Sequence, residues 1–309
     1  MTRERLRVDI ERRLSLPSLV WFGFALAALL LLSIDDLTLW AVLVVPAAVV
    51  LALMPGLRPV AEWSFDARDL IAIGALYLGV LAAFRVAFTV FTTDNVLGLF
   101  LTFAFGLLLG VVGPIVYQVW IRDRDLRSLG IGLHRLPETV GIGISLAAVQ
   151  FFMTLWGYEL PAPVDWVPLL VMSLVVGFFE AVFFRGFIQS RLEASFGAVP
   201  AVAGAALLYA LYHLGYGMGM EEMWFLFGLG AVYAIVFRLT SNVLVLWPLL
   251  TPLGAFFNNL QAGDIPLPWA SILGFVDVGI VMGVAVWLAS RRIRKRTPTT
   301  DEAREGILV

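Results

Sequence analysis

The chain has 309 residues, 61% of them hydrophobic and only 14% charged, with a formal net charge of −2. Soluble domains carry roughly half apolar and about a quarter charged residues, so the bulk of this chain must face lipid. The 21 Lys and Arg against 23 Asp and Glu leave no basic face for nucleic acid. The absence of cysteine excludes disulfides, thiolate metal ligands and a cysteine nucleophile.

Apolar stretches long enough for a transmembrane helix are predicted at 18–34, 37–54, 69–91, 96–120, 139–157, 165–190, 199–216, 222–237, 242–260 and 269–290. This is an all-α, polytopic membrane protein of about ten spans. No cleavable signal peptide is read, because Asp35-Asp36 and a second apolar run follow the first one directly. Cations support the count. Arg3 to Arg13, Arg58, Arg68, Arg122 to Arg135, Arg191, Arg238 and the run from Arg291 all fall on one side of the alternation. With Arg185 at a helix end, that side holds 20 of the 21 cations. The opposite loops carry Asp35, Asp36, Asp94, Glu159, Glu221 and Glu222 and no cation. By the positive-inside rule both termini are expected in the cytoplasm, with the protein in the cell (plasma) membrane. Four segments are expected: N-terminal helices 1–4 over 1–120, a cytoplasmic loop at 121–138, a second transmembrane domain at 139–290, and a charged tail at 291–309, disordered beyond Thr297. No 20–50-residue repeat is visible, which counts against a transporter.

Ionisable groups inside spans are expensive and mark function by default. Five are read there: Arg85, Glu180, Arg185, His213 and Asp277. The sixth and seventh spans form a hairpin with its turn near Gly197-Ala198. Glu180 lies about 17 residues before that turn and His213 about 15 after it, so the two sit at similar depth. Asn258 and Asp277 fall in the same layer by the same counting. A carboxylate and an imidazole at one level in the bilayer suit the activation of a water or the relay of a proton. On an ideal α-helix Glu180 and Arg185 lie about 140° apart, which speaks against a simple ion pair.

The segment FEAVFFRGFIQSRL at 179–192 resembles the first motif, EExxxR, of the CAAX-processing and bacteriocin-processing (CPBP) family of intramembrane proteases. Tyr209-Ala-Leu-Tyr-His213 is similar to the second motif, FxxxH. LWPLLTPLGAFFNNL at 246–260 looks like the third, HxxxN, with Gly254 in the histidine place and Asn258 in the asparagine place. LRSLGIGL at 126–133 resembles the usual entry into the family domain. The resemblance covers roughly 126–265. It departs from the pattern at two positions: Ala181 replaces the second glutamate and Gly254 the histidine.

The resemblance implies a CPBP-like helical bundle and an intramembrane endopeptidase. Glu180 and His213 would activate the attacking water, Asn258 would be the remaining oxyanion donor, and Arg185 would be structural. Asp277 is a candidate to compensate for the missing acid at 181, either by pairing with Arg185 or by entering the cavity. The family is often described as metal-dependent, but here the ligand set is incomplete, and no cofactor-binding residues are assigned. The expected partners are the lipid bilayer and a membrane-associated peptide or protein substrate. The alternative is a catalytically impaired relative acting as a membrane scaffold or binding protein.

Overall fold

The computed structural model describes residues 16–31, 37–57, 66–160, 162–262 and 267–296. The cations at 3–13, Arg58 and Arg304, the Asp35-Asp36 pair, and the expectation of a disordered tail past Thr297 lie outside those residues.

Every regular element among the described residues is helical. The helices are α1 (Leu16–Leu31), α2 (Leu37–Leu53), α3 (Ala67–Val86), α4 (Val96–Val116), α5 (Leu136–Thr154), α6 (Pro163–Glu180), α7 (Ser190–Phe196), α8 (Ala198–Tyr212), α9 (Met220–Thr240), α10 (Leu250–Ala262) and α11 (Ala270–Arg296). Wider π turns extend α3 to Phe91 and α4 to Ile121, and a nine-residue π stretch, Ala181–Gln189, joins α6 to α7.

The all-α, polytopic class is borne out, but the count of about ten spans is not supported. Among the described residues six helices are long and apolar enough to cross a membrane: Ala67–Phe91, Val96–Ile121, Trp166–Phe196, Ala198–Tyr216, Glu222–Thr240 and Ala270–Arg296. The fifth and ninth predicted spans correspond to α5, whose apolar stretch is Leu136–Phe152, and to α10, which begins only at Leu250. Residues 241–249 are apolar but serve other ends. Ser241 closes α9 in a left-handed conformation (φ 51°). The Asn242 side chain accepts from Leu244 N–H and donates to the carbonyls of Gly132 at 2.9 Å and His134 at 3.0 Å. The Trp247 indole donates to Leu174 O at 2.9 Å. A hydropathy run cannot distinguish such side-chain-tethered backbone from helix. The first two predicted spans are α1 and α2, of 16 and 17 residues.

The helices bury one stripe each and leave the remainder to lipid. On α3 the residues Ile73, Tyr77, Val80, Phe84 and Ala87 are buried at helical spacing, while Ile71 and Leu78 are exposed. On α11 Phe275, Val278, Met282 and Ala289 face inward, and Leu273, Ile280 and Val284 face outward. Helices apolar all round with only one face packed belong in a bilayer. The centre is the Trp166–Phe196 helix, whose residues 181–189 are all buried. One core cluster runs from Ile73 to Ala289, so α3 and α4 share it with the later helices.

The cations gather at one end, as their alternation in sequence implies. Asp69, buried in the first turn of α3, accepts from Tyr117 at 2.7 Å and Arg124 at 2.9 Å, with Arg122 at 3.7 Å and Arg191 at 3.8 Å around it. Arg296 pairs with Asp123 at 2.5 Å, and Arg238 with Glu193 at 2.7 Å. Desolvation alone would lift the neighbouring Asp66 carboxyl, but the Arg68 N–H and the Arg122 guanidinium outweigh it and hold it below the ordinary carboxylate range. Stability from Asp66 is therefore present above the ordinary value of about 3.8 and lost as pH falls through its lower folded value.

Asp69 neutralises three arginines where the ends of α3, α4 and α7 meet. Asp69→Asn leaves Arg124 and Arg191 without their carboxylate, while Arg122 keeps Asp66, and breaking such a buried group is worth about 3–5 kcal/mol. Asp69→Asn is expected to lower the melting temperature in detergent by several degrees. Glu138→Gln, which breaks only the surface pair with Arg135, is expected to leave it within about a degree.

Candidate active site

Glu180 closes α6 at the mouth of the π stretch and is 6% exposed. Tyr212 donates to its Oε1, and Tyr209 to its Oε2 at 3.4 Å. Both tyrosines stand on α8, three residues apart, so they share a face with the residue that follows them. That residue is His213, 7% exposed, where α8 tightens into a 3₁₀ turn, His213–Tyr216. Its Nδ1 lies 2.9 Å from Tyr209 O. A carbonyl only accepts, so this bond places the proton on Nδ1, and in the neutral ring the lone pair is on Nε2. The imidazole lies 4.0 Å from the Tyr212 ring and 5.1 Å from that of Tyr209, centroid to centroid.

The structure thus brings Glu180 and His213 to one level, as their distances from the hairpin turn imply. They meet through Tyr209 and Tyr212, with no hydrogen bond or ion pair directly between them among the described residues. Sequence reasoning missed both tyrosines. The available signal was two phenols at i and i+3 in an apolar span, each needing a partner for its hydroxyl.

Arg185 is 1% exposed and lies in the π stretch. In i→i+5 pairing, residues five apart fall on about the same side, so the separation expected of an ideal α-helix is undone and Arg185 stands on the Glu180 side. Its guanidinium carbon sits 5.2 Å from the Tyr209 ring centre, and neither Nη1 nor Nη2 has a hydrogen-bond partner. The next residue, Gly186, lets the 126–133 segment close on this helix: a Cβ there would stand 2.3 Å from Leu129 O.

Two expectations are corrected. Asp277 does not pair with Arg185. Turning Phe275, Val278 and Met282 into the core leaves position 277 on the exposed face of α11. Asn258 is also exposed, because α10 turns Thr251, Pro252 and Phe256 inward. It is therefore not brought to the buried pair. What faces the interior one turn earlier is Gly254. A Cβ at that position would meet the Tyr233 hydroxyl at 2.8 Å and the Gln150 amide at 2.9 Å. With its amide turned to suit both neighbours, Gln150 donates to Leu250 O and accepts from Gly254 N–H, each at 3.0 Å.

Among the described residues no three His, Asp or Glu side chains converge on one point. Glu180 and His213 are two ligands where a zinc site needs at least three from the protein. The Glu180 oxygens already accept from tyrosines, and Gly254 offers no donor. The residues present do not fit a metal, and no step below is routed through one.

Residues 162–250 match the model of a family described as type II CAAX prenyl endopeptidase Rce1-like. The match covers 89 of the 309 residues and makes this segment similar to that CAAX-protease-like family. The matched segment holds Glu180, Arg185, His213 and Tyr233, and stops at Leu250, before Gly254 and Asn258. The family is one of CAAX-protease-like intramembrane endopeptidases. No curated protein and no solved structure matches the chain.

The packing at Gly254 has a measurable consequence. Gly254→Ala is expected to lose about 1–3 kcal/mol through overpacking against Tyr233 and Gln150. Tyr233→Phe removes the nearer of the two atoms, so the double variant is expected to recover part of that loss. Melting temperatures of the four members of the cycle measure the coupling.

Proposed function

We propose that the chain is an intramembrane endopeptidase cutting a membrane-associated peptide, with both termini in the cytoplasm and the protein in the plasma membrane. The observation that carries this is the burial of Glu180 and His213 at one level, joined by the hydroxyl, ring and backbone carbonyl groups of Tyr209 and Tyr212. The similarity of residues 162–250 to the Rce1-like family model supports the class of reaction. The twenty cations on one side of the sequence support the orientation.

In this reading Glu180 takes a proton from a water as that water attacks the peptide carbonyl, and returns it to the departing amine. His213 Nε2 accepts a hydrogen bond from the same water and fixes its direction, while the Tyr209 carbonyl fixes the ring. Tyr212 must release Glu180 Oε1 as the water arrives. The two phenol hydroxyls also favour a second reading, because they already occupy the carboxylate. In a scaffold protein they would be the permanent partners of a buried acid, and the motif departures at Ala181 and Gly254 would carry no penalty.

Cleavage of membrane-anchored peptides by the purified protein in proteoliposomes separates the two. A hydrolase loses about 10²- to 10⁴-fold in kcat on Glu180→Gln, since glutamine keeps the shape but cannot take the proton. His213→Ala is expected to fall comparably. Asn258→Ala, at an exposed position, is expected to stay within about threefold. Equal rates for wild type and Glu180→Gln across the peptides would leave the scaffold reading.

A further inference from the structure

Arg85 lies inside a span and has no place in the site above. It stands 18 residues after Ala67, about 27 Å along α3 from the arginine-rich end. Buried Arg185 apart, the other cations among the described residues lie at that arginine-rich end. Arg85 is exposed and makes no ion pair among the described residues. Asp94, the next acid along the chain, accepts from the Thr92 hydroxyl instead. The Arg85 guanidinium donates to Leu214 O through Nη1 at 3.4 Å, and that carbonyl already accepts from Gly217 N–H at 3.2 Å. A guanidinium carries five N–H donors, and one long, shared bond leaves most of them unused. A cation in that state on a membrane span is costly and marks a function by default.

Arg85 lines a groove of about 360 Å³ with Leu81, Leu214, Gly217 and Met218. Its guanidinium is the only charge in that otherwise apolar lining. The groove lies toward lipid, since Leu78, Val86 and Leu214 around it are exposed. In a bilayer such a groove is filled by acyl chain, because bare walls forfeit their dispersion contacts. A carboxylate stands at its edge. Glu222, in the first turn of α9, holds its side chain against Gly219, one residue past Met218. A Cβ at 219 would meet Glu222 Oε2 at 3.0 Å. Glu222 is exposed and makes no ion pair among the described residues.

We propose that this groove binds a zwitterionic phospholipid of the phosphatidylethanolamine type. One acyl chain lies along Leu81, Leu214 and Met218, the phosphate accepts from Arg85, and the ammonium faces Glu222. Guanidinium and phosphate match as a two-pronged, charge-assisted pair. Arg85 lies six residues before Phe91, about 9 Å short of the helix end, and its long side chain snorkels toward the phosphate level. An anionic headgroup fits less well, because it brings no cation to Glu222 and is repelled by it. The wall of the groove continues into the turn that bears His213, since Met218 N–H donates to His213 O at 3.4 Å. The site stands whether or not the chain hydrolyses peptides.

The full chain, purified in detergent and freed of copurifying lipid, is titrated with phosphatidylethanolamine, phosphatidylglycerol or diacylglycerol, and bound lipids are counted by native mass spectrometry. The arginine-rich end holds lipid in every variant, so the readout is the difference from wild type. Arg85→Gln is expected to bind phosphatidylethanolamine about tenfold more weakly and to lose one bound lipid. Glu222→Gln is expected to weaken it about threefold to tenfold, and both variants to leave phosphatidylglycerol within about twofold. If Arg85→Gln does not fold, Arg85→Lys, which keeps the charge without the fork, is expected to lose about threefold. Equal phosphatidylethanolamine binding by wild type and the Arg85 variant overturns the site. An equal loss of phosphatidylglycerol, or an unchanged Glu222→Gln, overturns the zwitterionic assignment. Diacylglycerol has the chains but no phosphate. A wild-type advantage over Arg85→Gln with that lipid places the effect in packing and overturns the headgroup contact.

Discussion

The constraint on which this architecture depends is the cost of a charge in a bilayer. An acid and a guanidinium in the same span have few acceptable places, and here both are enclosed at the centre of the bundle. Enclosing them dictates the packing around them. The Trp166–Phe196 helix is wrapped rather than peripheral, with a window 61% buried against 22% for Ala270–Arg296. α8 must present two tyrosines and a histidine to it, and α10 must approach as a short helix whose Gly254 leaves room for Tyr233. The π stretch follows from the same requirement, since i→i+5 pairing sets Arg185 on the side of Glu180.

A second hub balances the bundle at its arginine-rich end. Asp69 holds the beginning of α3, the end of α4 and the start of α7 through Tyr117, Arg124, Arg122 and Arg191. Asn242 ties the 126–134 segment to the turn after α9. The same segment lies against Gly186, at the base of the site helix. The outer connections and the interior site are therefore mechanically continuous through residues close in sequence to Glu180.

Much of this was legible in the sequence. Hydropathy identifies a helical membrane protein, and counting residues from the Gly197 turn places Glu180 and His213 at one depth. Depth is a one-dimensional coordinate, however, and facing is not. Asn258 and Asp277 satisfy the depth criterion, yet the inward stripes of α10 and α11 turn both outward. The same limit hid Tyr209, Tyr212 and Tyr233, whose positions around the helix axis matter more than their depth. The excess of predicted spans has another source. The 241–249 segment is as apolar as a helix, but Ser241 ends α9 in a left-handed turn, and Asn242 and Trp247 commit their side chains to tertiary hydrogen bonds that no hydropathy window registers.

Asp277, left uncovered on α11, bears on how that helix enters the bilayer at all. An aspartate near the middle of a nascent span opposes translocon-mediated insertion by ~2.5–3.5 kcal/mol, and each Leu, Ile, Val or Phe favours it by ~0.3–0.6 kcal/mol. Ten such residues lie between Ile272 and Leu288, enough to outweigh the acid with a modest surplus. The basic run Arg291–Arg296 then ends the span at the headgroups. The length and uniform apolarity of α11 are thus requirements of biogenesis as much as of packing, and polar substitutions on its lipid face would be limited by insertion before they were limited by stability.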